Sequence, residues 1–198
     1  ILSLRMLVRE YFALADNLTD CKLRFMNDLR LLFPGFTDVF KQPFSAAALA
    51  ILKEYPSPKS LQSADLEKLT GIVATAARRG SAWAKQKLSQ LFDYAQIAET
   101  IGLSSVALEE KLHIQIQTIE AMEANMEKIE AAIRRLIMSD AFPTGARKNI
   151  ELLDAMPGIG FISAVTLVAE MGDFSKFQSA KAFAAFFGVD PAVKESGK

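Results

Sequence analysis

Leu153-Asp154-Ala155-Met156-Pro157-Gly158-Ile159-Gly160-Phe161-Ile162-Ser163-Ala164 is the stretch on which the reading of this chain turns. Pro157 has no amide proton and cannot continue a helix, and Gly158 and Gly160 can take the positive φ angles that other residues avoid. The stretch therefore predicts the end of one helix, a tight Pro-Gly-Ile-Gly corner and the start of a second helix. The apolar face of that second helix carries Ile162, Val165, Leu167 and Val168, and Gly172 is its stop. Two glycines flanking one apolar residue leave backbone N–H groups bare at a helix N-terminus, where they can hold a phosphate. Two readings follow. One is a helix-hairpin-helix that grips nucleic-acid backbone without reading bases, with Gly158, Ile159 and Gly160 at the contact. The other is a helical turn with a structural role alone.

Composition limits how such a contact would work. The chain has 198 residues, with 23 basic and 23 acidic side chains, so no global field draws it to DNA or anionic membranes and any nucleic-acid binding must be local. Cys21 stands alone, which excludes an internal disulfide framework and fits a reducing cytoplasm. No apolar run approaches a membrane span and no signal-peptide pattern opens the chain, so a cytoplasmic location and no membrane partner are expected. Leu4 opens an apolar repeat that has no cap before it, and the chain stops at Ser196-Gly197-Lys198, so it reads as a fragment.

Working outward, the positions Leu4, Leu7, Tyr11, Leu14, Leu18, Cys21 and Phe25 step by three and four, and Leu29 and Leu32 extend the same face. A second series runs Leu112, Ile116, Ile119, Met122, Met126, Ile129, Ile133 and Leu136 in a helix from about Ser105 to Met138. Both are heptad seams, which predicts helices that pair with each other or with a partner subunit. Phe33-Pro34-Gly35-Phe36 breaks the first helix, and Phe36, Phe40 and Phe44 read as a hydrophobic plug. Ser45 is the cap of a short helix, Tyr55-Pro56-Ser57-Pro58 is a turn, and Leu61 to Ala77 reads as one or two short helices with Ser63 or Asp65 near a start.

Arg78-Arg79-Gly80-Ser81, with Trp83, Lys85 and Lys87, is a basic segment with two readings: a phosphate-contacting patch whose aromatic stacks on a base, or a solvated loop and helix start whose tryptophan packs inward. His113 has no second ligand at metal spacing and reads as a rim residue. The expected fold is all-α: a coiled-coil region over about 1–140 with a helical insertion at about 34–104, then a helix-hairpin-helix domain over 145–198. Asp173 to Phe177 reads as a turn, and Ser179 as the cap of a helix bearing Phe183, Phe186 and Phe187. By itself, Ser196 is a turn serine beside glycine with no general base near it in sequence.

The run Met156-Pro157-Gly158-Ile159-Gly160, Ala164, Glu170-Met171-Gly172-Asp173, Phe177, Ser179-Ala180-Lys181, Ala184-Ala185-Phe186-Phe187-Gly188-Val189, Pro191 and Ser196-Gly197-Lys198 closely resembles the C-terminal domain of transposases of the insertion sequence 110 (116/110/902) family. Phe33-Pro34-Gly35-Phe36 and the heptad helices resemble that family's coiled-coil region. The resemblance implies a DNA recombinase, transposase or site-specific invertase, in which a serine of a Ser-Gly motif attacks DNA; the matching residue here is Ser196. It also implies an N-terminal RuvC-like domain whose four acidic residues bind Mg²⁺. That tetrad has no counterpart in this chain, so no metal ligand and no cofactor are expected within it. Implied partners are DNA and, as in some members of the family, an element-encoded structured guide RNA; the heptad seams add the expectation of a homodimer or higher homo-oligomer joined through the coiled coil. Lys148, Lys194 and Lys198, with Arg78 and Arg79 of the basic segment, are the candidate phosphate-binding cations. The competing reading is a non-catalytic DNA-binding and oligomerisation module.

Overall fold

The computed structural model describes residues 1–103 and 105–172, and among these the chain is all-α, as expected, with no strand. Its helices are α1 (Leu2–Leu32), α2 (Phe36–Val39), α3 (Ala46–Glu54), α4 (Pro58–Gln62), α5 (Leu66–Ala77), α6 (Ser81–Ile101), α7 (Val106–Met138), α8 (Thr144–Asp154) and α9 (Phe161–Met171). They form two compact units, one built from Ala13–Glu127 and the other from Ile1–Phe12 with the described residues from Lys128 onward.

In the larger unit the seam residues Leu18, Cys21, Phe25, Leu29 and Leu32 of α1 are buried with Leu112, Ile116 and Ile119 of α7. Lys22 reaches Glu123 at 2.6 Å, while Asp28, further along α1, accepts from Lys111 at 2.9 Å and Gln115 at 2.7 Å, earlier in α7. The two helices therefore run antiparallel here. Gly35, at φ +85°, lets Phe33 and Phe36 fold under the same core. The plug is observed: Phe36 and Phe40 are buried, and α2 spans the first of them.

Local caps decide the short helices. Ser45 accepts from the Ala48 amide, Ser57 and Ser60 form a reciprocal capping box behind Pro58, and Asp65 accepts from the Glu67 and Lys68 amides. Each such cap contributes on the order of 1 kcal/mol. Of the two alternatives for the start of α5, Asp65 rather than Ser63 is the cap. The segment after Arg79, read from sequence only as a loop and helix start, is the 21-residue helix α6.

The smaller unit buries Leu4 and Val8 of α1, Ile133 and Ile137 of α7, Phe142, Ala146 and Ile150 around α8, and Ala164, Val165, Val168 and Ala169 of α9. Here the seam departs from the expected register. Val8 and Ile137 are buried where Leu7 and Leu136 are half-buried. An α-helix turns every 3.6 residues, so a face read at 3.5 drifts, and near its ends the buried residue moves on by one. Arg147 donates to the Ile137 and Ser139 carbonyls at 2.9 and 2.8 Å, satisfying the frayed end of α7 and fixing α8 to it.

Candidate nucleic-acid interface

The corner between α8 and α9 is built almost entirely by backbone rules. After Asp154 the Ala155 amide still bonds Glu151 at 3.1 Å, and the Met156 amide bonds Leu153 at 3.0 Å. Pro157 then stops the helix. The Ile159 amide donates to the Met156 carbonyl at 3.1 Å across Pro157 and Gly158, with Gly158 at φ +89°. Proline followed by a positive-φ glycine is the signature of a type II turn. Gly160 corrects the expectation from sequence: its φ is −87° and ψ 167°, extended rather than left-handed. Its place as the N-cap of α9, not a special dihedral, is what gives it meaning.

A helix N-cap is ordinarily Ser, Thr, Asp or Asn, whose side chain takes up the amides of the first turn. Gly160 has none. Among the described residues, the amides of Gly158, Gly160, Phe161, Ile162 and Ser163 meet no acceptor, while the Gly160 carbonyl already accepts from Ala164 at 3.0 Å. Pro157, Gly158 and Gly160 are exposed, and a Cβ added at either glycine would meet nothing within 4 Å. Ile159, half-buried, packs on the small core and anchors the corner from beneath. The helix dipole places partial positive charge on those bare amides.

Side chains stiffen both ends of α9. The Arg134 guanidinium lies 3.7 Å from the centre of the Phe161 ring and is held by Glu130, setting a cation over the first residue of the helix. At the other end Arg5 donates to the Ala169 and Glu170 carbonyls at 3.0 and 3.2 Å, and Arg9 pairs with the Glu170 carboxylate. Cations at a helix C-terminus satisfy its last carbonyls and oppose its dipole.

Lys148 is exposed on α8, but so are Glu151 and Asp154, so these side chains bring no net positive charge to the corner and its backbone donors are what it offers a phosphate. Arg78 and Arg79 are exposed and belong to the larger unit; Arg78 caps α5 in the left-handed region at φ 52°. Trp83 is half-buried against the larger core. His113 is half-buried, 3.8 Å from Glu110. Lys194, Ser196, Lys198 and the Ser179-capped helix fall outside the described residues. Among the described residues no three His, Cys, Asp or Glu side chains gather. No described helix is long and apolar enough to cross a membrane.

The corner and everything C-terminal to Asn149 coincide with a known family. Residues 150–198 match the family described as Transposase IS116/IS110/IS902. Over this segment the chain is similar to transposases of that family. It is 26% identical over 147 residues to an uncharacterized 43.6 kDa protein of insertion element IS110 from Streptomyces coelicolor, covering 74% of this chain and 34% of that one. It is 24% identical over 188 residues to an uncharacterized 44.8 kDa protein of insertion element IS116 from Streptomyces clavuligerus, covering 93% and 44%. A probable family 20 transposase of Pseudomonas aeruginosa is 30% identical over 128 residues, covering 64% and 33%. The chain thus spans less than half the length of these IS110-type relatives. No solved structure matches it significantly.

Proposed function

We propose that the α8–α9 pair is a helix-hairpin-helix that holds the sugar–phosphate backbone of DNA, and that it does so within a transposase whose nucleophile is Ser196. The observation that carries this reading is the open corner at Gly158–Ser163. A cluster of amides on an uncapped helix N-terminus, free of side chains at its two glycines, lets a phosphate oxygen approach to hydrogen-bonding distance. Such a contact positions a duplex without reading its sequence. Similarity to the transposase family supports DNA as the ligand and strand transfer as the purpose.

In this reading the serine oxygen forms a bond to phosphorus as a sugar oxygen leaves, so the phosphodiester energy is conserved for rejoining. A neutral hydroxyl is a poor nucleophile, and a base must take its proton. The test uses the full-length protein with supercoiled donor DNA. Ser196→Ala should retain DNA binding and yield no covalent protein–DNA adduct; an adduct that persists would remove Ser196 from the reaction. Gly160→Asp should lose both binding and adduct, and unaltered binding would remove the hairpin.

A further inference from the structure

A groove in the larger unit lies between the loop after α2, the first turn of α3, the end of α5 and the start of α6. Its volume is about 390 Å³, within the range of pockets that take organic ligands, and it is open along one side rather than enclosed. Phe40, Ala77 and Trp83 give it apolar walls, and Lys41, Arg79 and Lys87 stand on its rim. No acidic side chain lines it. We propose that this groove is a second nucleic-acid site, separate from the hairpin, which seats one nucleotide of a single strand with its base against Trp83 and its phosphate at Arg79 and Lys41.

The local structure favours that use. Lys87 donates to the Val39 carbonyl at 3.0 Å, which closes the end of α2 and fixes one wall. Arg78 is the one described non-glycine residue with positive φ. It turns the chain sharply at the end of α5, after which the Arg79 amide bonds Ala74 at 3.0 Å and the Arg79 side chain lines the groove. Among the described residues that guanidinium has no acidic partner, whereas Lys41 has only an exposed pair with Asp38 at 3.6 Å. An indole beside the unpaired Arg79 guanidinium suits a base and its phosphate, because every base presents a π-face and stacking tolerates any sequence. Openness along one side suits a polymer that enters and leaves. A duplex keeps its bases stacked inside and cannot offer one to the indole.

Trp83 is the single tryptophan of the chain, so its emission reports on this groove alone. The experiment titrates the 198-residue chain with a twelve-nucleotide oligo(dT), the matching oligo(rU), and a duplex of the same length. Saturable quenching by either single strand and not by the duplex is expected. The stronger of the two strands identifies the sugar. Arg79→Gln, at an exposed position, should weaken binding several-fold and reduce the salt slope by about 0.7. Gly160→Asp should leave the quenching unchanged while abolishing duplex binding, which separates this site from the hairpin. Quenching by the duplex alone, indifference to Arg79→Gln, or loss of quenching with Gly160→Asp would each overturn the proposal.

Discussion

Arg9 meets Glu170 in a two-point contact, Nε to Oε1 at 2.9 Å and Nη2 to Oε2 at 3.0 Å, which ties the start of α1 to the end of α9. Planar guanidinium and carboxylate groups match in this geometry, and the shared hydrogen bonds hold the Glu170 carboxyl below its ordinary value of 4.5 despite the opposing cost of desolvation. With Arg5 on the neighbouring carbonyls, the pair anchors the helix whose other end carries the open corner.

A carboxyl whose folded value is depressed stabilises the fold above its unfolded value and loses that contribution as pH falls through the folded one. Urea unfolding of the chain and of Glu170→Gln should therefore differ at neutral pH, with the variant weaker. The difference should close as pH drops below 4.5. A gap that stays constant into acid would show that the pair is not what Glu170 contributes.

Two glycines should respond with opposite signs. Gly35 has φ +85°, and a Cβ there runs into the Tyr94 ring, so Gly35→Ala should destabilise the larger unit by about 1–2 kcal/mol or more. Gly71 lies inside α5 with open space around it, so Gly71→Ala should stabilise by about 0.5–1 kcal/mol. Denaturation midpoints of the two variants check both.

Asp28 is a buried carboxylate shared by Lys111 and Gln115. Asp28→Ala strands Gln115 in a half-buried seam and should cost about 1–3 kcal/mol. A double-mutant cycle with Lys111→Ala should return a coupling of at least about 0.5 kcal/mol, and additivity within error would deny the contact.

Gly160 should trade stability against function. Asp at this N-cap supplies the acceptor that the first turn of α9 lacks, and places negative charge at the positive end of the helix dipole. Gly160→Asp should raise stability by about 0.5–1 kcal/mol while occupying the donors meant for phosphate. Thermal unfolding paired with duplex binding by anisotropy checks it; a stabilised variant that binds undiminished contradicts the phosphate role.

The corner was legible because Pro157 and Gly158 restrict backbone angles by themselves, without help from distant residues. The two long seams were legible because one apolar period runs through each, and they slipped only where Val8 and Ile137 replace their neighbours. Helix α6 was not. Its buried face includes Ala84, Ala95 and Ala98, small residues that barely raise a periodic signal, and its N-cap is Gly80, which carries no side chain to announce it. The Arg9–Glu170 pair joins positions 161 apart, and the Trp83 groove gathers residues from four segments. The ion pair leaves no local pattern in the chain, and of the groove only Arg79, Trp83 and Lys87 fall together in one basic segment.

The most direct measurement follows backbone amide resonances of the chain as a short DNA duplex is added at low salt. The amides of Gly158, Gly160, Phe161, Ile162 and Ser163 should move first and saturate together, with the perturbation absent in Gly160→Asp. Duplex binding that leaves those five resonances in place would contradict a backbone grip at this corner.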